Sequence, residues 1–347
     1  MQFTANQIAT LLDGYVEGDP DVLVNQLAKI EEGEEGALAF LSNPKYEHFL
    51  YETKASAVIV NQDLQLAKPI QASLIRVKDA YSAFSELLRI YDELRNERSG
   101  IEEPSYIHES AHVGKDLYLG AFSYIGRDVI LGDNVKIYPQ VYIGDGAVIG
   151  DNTVVYPGVK VYYDSKIGNN VVLHSGVIVG SDGFGFAPQK DGTYSKVPQI
   201  GNVIIEDDVE VGANTVIDRA TLGSTTIRKG VKLDNLIQIA HNVEVGANTV
   251  VAAQTGISGS TKIGEKVILG GQVGVVGHIQ IATGSQIQAQ SGINRSIDQE
   301  NTKWGGTPAM PYNSNLRSQV IYSKLPTLER RVAELEARLE ELYNQTR

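Results

Sequence analysis

The sequence predicts a mainly β protein: a parallel β-helix in the middle of the chain, a small α/β domain before it and a helical extension after it. Three observations carry that expectation. Aliphatic residues recur every six positions through the middle of the 347-residue chain, the N-terminal part lacks the period, and the C-terminal part holds a heptad.

The period runs unbroken from Val113, Leu119 and Ile125 to Val179, returns at Ile205, Val211 and Ile217, and restarts at Ile227 to end at Ile293. These blocks hold twelve, three and twelve hexapeptides, each headed by an aliphatic residue. Six is neither the period of a helix nor simple strand alternation. The residue four beyond the head is usually valine or small (Val129, Val135, Val141, Ala147, Thr153, Val159, Ser165), so both positions can point inward along a short strand. A turn every six residues makes one face of a parallel β-helix, and three faces make a coil. The 27 hexapeptides fill nine coils, a prism on the order of 43 Å long at about 4.8 Å per coil. Glycine follows the head in twelve of them, which places much of the 35-residue glycine content at corners that permit positive φ.

Two interruptions break the grid: about 20 residues near 185–204, and four extra residues between Ile217 and Ile227. Long insertions in compact structures are usually functional; the other reading is an inert loop. The expected domains are residues 1–100, the β-helix at 101–297 with its extruded loop, and a helical or coiled-coil segment at 298–347.

In the first domain, ALAFLS and ASAVIVNQ read as strands, and Tyr81 to Asn96 as a helix with Ala83, Phe84, Leu87, Leu88 and Tyr91 on one face. Between the strands, Asn43 suits a helix cap and Pro44 the first turn. Phe40 and Tyr46 flank that cap and could clamp a flat ring; one core aromatic and one surface aromatic is the alternative. In the last segment Leu325, Leu328, Val332, Leu335, Leu339 and Leu342 keep heptad spacing, with Glu329 and Glu336 at e positions and Arg331 and Arg338 at g positions. So short a seam needs a partner helix or the body of the protein.

Composition excludes several classes. The absence of cysteine rules out disulfides, zinc–thiolate sites and a thiol nucleophile, and fits a reducing compartment. The first twenty residues hold no lysine or arginine, unlike a secretory leader, and no apolar run approaches the roughly 20 residues of a membrane span. A cytoplasmic protein without a transmembrane segment is expected. A net charge of -12 argues against nucleic acid as a partner. The charge is uneven: residues 1–100 hold 16 acidic and 9 basic side chains, 101–294 hold 19 and 13, and 295–347 hold 7 and 8. Only the C-terminal end could welcome an acidic partner.

Of the six histidines, His241 and His278 stand out by position. They occupy the third and fourth places of their hexapeptides, 37 residues apart, so two coils, or about 9 to 10 Å, separate them along one edge. Gly259 lies one coil above His241, where its N–H could stabilise an oxyanion. Asp234, Asn235, Gln238 and Asn242 add hydrogen-bonding groups around it. The set suits acyl transfer, in which a neutral histidine takes a proton from an attacking amine or hydroxyl; polar residues laddering along a solvated edge are the alternative. His108 and His112 belong to no convincing metal-binding set, and no metal is expected.

The grid resembles that of the hexapeptide-repeat acyltransferases. ALAFLSNPKY, GSDGFGF, KVPQIG, IDRATLG and LDNLIQIAHNVEVG, followed by a C-terminal helix, resemble in order and across nearly the whole chain the UDP-3-O-acylglucosamine N-acyltransferase family of lipid A (lipopolysaccharide) biosynthesis. The resemblance implies a homotrimer of left-handed β-helices with sites in the clefts between subunits. It implies transfer of a 3-hydroxyacyl chain from acyl carrier protein to the 2-amine of UDP-3-O-acylglucosamine by direct attack, without an acyl-enzyme. No cofactor is tightly bound; the donor brings its own 4'-phosphopantetheine. By the same resemblance His241 is the general base, Gly259 N–H the oxyanion donor and His278 a supporting residue near the thioester or pantetheine arm. Phe40 and Tyr46 stack on uracil with Asn43 close by, Asp234, Gln238 and Asn242 orient substrate or His241, and Arg295 meets the carrier's phosphate. Gly292 leaves room for a long acyl chain. Rival readings are a UDP-N-acetylglucosamine O-acyltransferase, a coenzyme A-dependent sugar acetyltransferase, or a noncatalytic solenoid scaffold; the N-terminal domain separates the first from the family.

Overall fold

The computed structural model describes residues 2–95, 98–306 and 312–345. The chain divides into two compact units, Met1–Arg98 and Ser99–Arg347.

The first unit is an α/β sandwich around a five-stranded sheet. Strands Gln26–Leu27, Ala37–Leu41, Ala57–Asn61 and Ser73–Val77 are parallel neighbours, and Tyr15–Glu17 runs antiparallel at the edge. Both expected strands are present, and they read as nearly continuous apolar runs because both faces of the sheet are covered. Leu38, Ile59 and Ile75 pack toward helices Ala5–Leu11 and Ala80–Arg95, whereas Ala39, Val58, Val60 and Leu74 pack toward the turn-and-helix segment that contains Leu50. Asn96 lies outside the described residues. On the long helix Leu87 is buried, but Leu88 and Tyr91 are 42% and 43% exposed. The apolar stripe is therefore narrower than the spacing implied.

The second unit is the parallel β-helix. Among the described residues its three ladders hold 9, 11 and 10 strands, most of them two residues long. Leu119 pairs with Ile137 and Ile137 with Val155, one coil of 18 apart. The solenoid is closer to ten coils than nine, because the grid also takes in Ile101 and Ile107 before Val113, and Lys303–Trp304 adds a strand beyond Ile287. The interruptions leave the register intact: Ile167 pairs with Ile205 and Ile217 with Ile239, so the insertions of about 20 and four residues are looped out of single coils. The longer one forms a hairpin of strands Phe186–Pro188 and Tyr194–Lys196.

Both inward positions are filled as expected. The heads from Leu119 onward are buried, and so are Val129, Val135, Val141, Ala147 and Val159; burying each aliphatic side chain stabilises the fold by about 1.5 to 3 kcal/mol. Threonine is tolerated there because its hydroxyl has a partner: Thr153, Thr249, Thr255 and Thr261 each donate to a backbone carbonyl at 2.9 to 3.0 Å.

The glycines that follow a head serve a different purpose from the one expected. The left-handed corner falls three residues beyond the head, where Asp128, Asn134, Asn152 and Asn170 have φ of 53 to 56°. Asn and Asp tolerate that region better than other non-glycine residues. The glycines directly after the head have ordinary φ with one exception, Gly180. They are required by close stacking: a Cβ at Gly120 or Gly126 would lie 2.4 Å from an atom of the next coil.

Beyond the solenoid, helices Tyr312–Tyr322 and Leu325–Gln345 follow. The heptad residues of the second are exposed, Leu335 by 59%. No helix among the described residues is long and apolar enough to cross a membrane.

Candidate active site

The site occupies the corner that follows the ten-stranded ladder. His241, Gly259, Gly277 and Arg295 each sit two residues beyond a head, and those heads, Ile239, Ile257, Val275 and Ile293, pair in register. The four positions therefore stack on consecutive coils. Backbone bonds join them: Ser260 N–H donates to His241 O, and His278 N–H to Gly259 O, both at 3.0 Å. His278 stands at the left-handed corner position, φ 61°, with its side chain exposed.

The His241 imidazole is held between two glycines. A Cβ at Gly183 would lie 2.7 Å from His241 Cβ, and one at Gly259 would lie 2.7 Å from His241 Nε2. Gly183 begins the extruded loop, so the first interruption forms one wall of the site. The second forms the other. Thr221 N–H donates to Asn242 Oδ1 at 3.0 Å, and Asn242 Nδ2 donates to Leu222 O at 2.9 Å. These two bonds fix which end of the Asn242 amide is oxygen. The same Oδ1 lies 3.2 Å from His241 Nδ1. Because that oxygen can only accept, Nδ1 carries the proton and Nε2, beside Gly259, presents a lone pair.

Gly259 N–H has no partner among the described residues, although its neighbours Ser258 and Ser260 both donate to backbone carbonyls at 3.0 Å. On several other coils the N–H at the same place in the hexapeptide is closed by a side chain from the coil above: Arg127 N–H by Asp145, Asp133 N–H by Asp151, and Asp151 N–H by Asn169. Above Gly259 that place is taken by Gly277, which has no side chain.

A groove of about 630 Å³ leads away along the outer face of the ladder from Gln238 over Gly256, Gly274 and Gly292. None of these three glycines has positive φ, and a Cβ on any of them would meet nothing within 4 Å. Nothing in the subunit's own packing requires them to be glycine.

The other sequence-selected residues are placed as follows. Asp234 accepts Asn235 N–H and Ala253 N–H at 2.8 and 3.1 Å, which braces the preceding corner. Arg295 is exposed, its guanidinium 5.7 Å over the Trp304 ring. In the first unit, Asn43 caps the turn Pro44–Tyr46 through a 3.1 Å bond from Lys45 N–H. Phe40 is half-buried and stacks on Phe84 at 3.9 Å, and Tyr46 is 49% exposed; no ring contact joins Phe40 to Tyr46 among the described residues. Beside Asn43, the carboxyl ends of strands Ala37–Leu41 and Ala57–Asn61 open into a cavity of about 310 Å³ lined by Ser42, Pro44, Glu47, Asn61 and Asp63, the usual ligand position on a parallel sheet.

Sequence reasoning missed Gly183, Thr221 and Asp218. Asp218 is buried, accepting from Ser181 Oγ and Gln238 Nε2 at 2.9 Å each. Burial pushes its carboxyl up, against those hydrogen bonds and the nearby His241. All three lie in or beside the interruptions, where no period assigns a position; the motifs GSDG and IDRATLG were the available signal.

A stacked β-helix carrying an oriented histidine and an open N–H one coil above defines a transferase of the hexapeptide-repeat class. Residues 104–145 and 146–181 match the bacterial transferase hexapeptide (six repeats), and residues 202–235 match the hexapeptide repeat of succinyl-transferase. Residues 21–90 match the family described as UDP-3-O-(3-hydroxymyristoyl) glucosamine N-acyltransferase, LpxD. The UDP-3-O-acylglucosamine N-acyltransferase of Christiangramia forsetii is 60% identical over 98% of this chain and 99% of its own, and that of Cytophaga hutchinsonii 58% over 97% of each. The chain belongs to the UDP-3-O-acylglucosamine N-acyltransferase family. The crystal structure of an Arabidopsis UDP-N-acetylglucosamine acyltransferase covers 60% of this chain and 71% of its own, with a TM-score of 0.54 at 19% identity, a likeness of fold.

Proposed function

We propose that the protein transfers a 3-hydroxyacyl chain from acyl carrier protein to the 2-amine of UDP-3-O-(3-hydroxyacyl)glucosamine, in the cytoplasm, as a step of lipid A biosynthesis. The observation that carries the mechanism is the fixed Asn242 amide, which leaves the lone pair of His241 on Nε2 beside the open Gly259 N–H.

The amine nitrogen attacks the thioester carbonyl while Nε2 takes one of its protons, and the carbonyl oxygen gathers negative charge against Gly259 N–H. Collapse breaks the carbon–sulfur bond. The leaving thiolate recovers the proton from the imidazolium, giving an amide and the free thiol of the carrier. No acyl-enzyme forms, which agrees with a chain that has no cysteine.

The glycine-lined groove fits the donor's acyl chain, since its glycines have no reason within the subunit. Arg295, three coils above His241 on the same corner and about 14 Å away, fits the phosphate of the pantetheine arm, with His278 beside its path. Asp234 holds the corner next to the groove. In the first unit the cavity beside Asn43, with Phe40 and Tyr46 flanking the cap, fits the uridine nucleotide. The working form is a homotrimer, in which a neighbouring copy closes the open side of the groove.

The test is incubation with 3-hydroxyacyl carrier protein and UDP-3-O-acylglucosamine, with mass spectrometry for the amide. Amide formation that is lost in His241→Ala, with the trimer intact by light scattering, is expected. Near-normal transfer by that variant would remove His241 as the base.

A further inference from the structure

Gln238 and Asp218 form a pair that proton transfer leaves unused. Gln238 projects from the outer face of the ladder at the His241 end of the groove, its Cα in register with Gly256. Its carboxamide nitrogen is doubly committed: Nε2 donates to Asp218 Oδ2 at 2.9 Å and to Ile239 O at 3.3 Å. A backbone carbonyl can only accept, so the amide cannot turn over without losing that bond. Gln238 Oε1 is left without a partner among the described residues, on an exposed side chain at the groove.

Asp218 is well placed to act as a lock. It is buried, and Ser181 Oγ–H donates to its other oxygen at 2.9 Å. The next residue, Arg219, is fully buried, donates to Gly180 O and Tyr163 O at 2.7 and 3.0 Å, and stacks 3.5 Å over the Tyr163 ring. The carboxylate therefore stands on backbone that has little freedom to move.

We infer that Asp218 holds Gln238 as a hydrogen-bond acceptor that selects acyl donors with a hydroxyl on the third carbon over donors with a carbonyl there. The inference rests on the reading of the groove as the donor's acyl channel. With the reacting carbonyl between His241 Nε2 and Gly259 N–H, the third carbon is two bonds further on, roughly 2.5 Å. That is about half a coil, which keeps it level with Gln238 and Gly256. A 3-hydroxyl donates to Oε1. A 3-oxo group sets one acceptor against another, and neither is satisfied.

The experiment compares kcat/KM of the full-length protein for 3-hydroxyacyl and 3-oxoacyl carrier proteins of equal chain length, with UDP-3-O-acylglucosamine as acceptor. The wild type should favour the hydroxyacyl donor. Gln238→Met, on an exposed side chain whose loss leaves the fold intact, should lower that preference about tenfold, the scale of one exchanged hydrogen bond. Asp218→Leu should lower it too, by freeing the amide to turn. Asp218→Asn should keep it, because Asn Oδ1 still accepts from Gln238 while its Nδ2 meets Ser181 Oγ.

A merely structural role would slow both donors equally and leave the ratio where it was. An unchanged ratio in Gln238→Met, with hydroxyacyl transfer by the wild type intact, overturns this inference alone. An unchanged ratio in folded Asp218→Leu, or a lost one in Asp218→Asn, removes the lock. A wild type that transfers neither donor overturns the proposed function and this inference with it.

Discussion

Gly259→Ala is the sharpest single perturbation available. The residue has ordinary φ, so alanine brings no backbone strain, and the added methyl would meet one group first: it would lie 2.7 Å from His241 Nε2 and 2.8 Å from Cε1. Nonbonded carbon contacts settle near 3.5 Å or more, so the ring must retreat by roughly 0.8 Å. A displacement of about 1 Å at a reacting group costs on the order of a hundredfold in rate, or about 2.7 kcal/mol of transition-state stabilisation. The assay is kcat by amide formation beside the melting temperature. The expected result is a kcat lower by about two orders of magnitude with little change in melting. Gly256→Ala is the control, since its methyl meets nothing within 4 Å: melting should be unchanged and donor binding alone affected. A Gly259→Ala variant with kcat within about twofold of wild type would refute the placement of the reacting carbonyl against Nε2.

Other substitutions test the rest of the site. Asn242→Asp keeps the oxygen that accepts from Thr221 and His241 but sets its other oxygen against Leu222 O, so it should retain more activity than Asn242→Leu, which loses both acceptor bonds and should lower kcat by about ten- to a hundredfold, with ¹⁵N shifts of the His241 ring reporting a mixed tautomer. Gly292→Met should leave melting unchanged and shift the preferred donor toward shorter chains, seen with a chain-length panel of carriers. Gly277→Asn should place a carboxamide oxygen on Gly259 N–H, as Asp145 is placed on Arg127 N–H, and lower kcat by about a hundredfold or more in a protein that still folds. Asp218 tests linkage. Burial raises its carboxyl in the folded state, so the stability it contributes is complete below the unfolded value near 3.9 and is lost as pH rises through the folded one. Asp218→Asn should therefore gain in melting temperature relative to wild type as pH rises above about 4.

How much could be read in advance depended on the period. Wherever a residue stands on the grid, counting by 18 placed it: the stacking of His241 below Gly259, with His278 one place beyond the next coil's equivalent position, follows from arithmetic, and so does the looping-out of both insertions. Counting fails inside the insertions. Gly183 and Thr221 have no hexapeptide position, and their approach to His241 and Asn242 depends on how the loops fold back. Asp218 lies next to the head Ile217, yet its partners Ser181 and Gln238 come from one coil below and one coil above, around a bulge at Gly180. Glycine was misread for a different reason. Composition does not separate a glycine needed for positive φ from one needed for close approach, and in this solenoid Asn and Asp share the first task with glycines three beyond the head, such as Gly146 and Gly158.

Part of the corner backbone of this β-helix is chemically closed: several coils offer side-chain oxygens that cap N–H groups of the coil below, as in the run through Asp133, Asp151 and Asn169. An active site needs the opposite: an uncapped donor, a base with one free nitrogen, and a surface without side chains. The proposed site meets these needs by local departures from the repeat. Gly277 withholds the cap from Gly259 N–H, the two insertions hold the imidazole and set its proton on Nδ1, and Gly256, Gly274 and Gly292 clear the face beside it. Each departure is cheap for the fold, because heads and inward valines carry the core, so catalysis can be built at one corner without disturbing the nearly uniform stack around it.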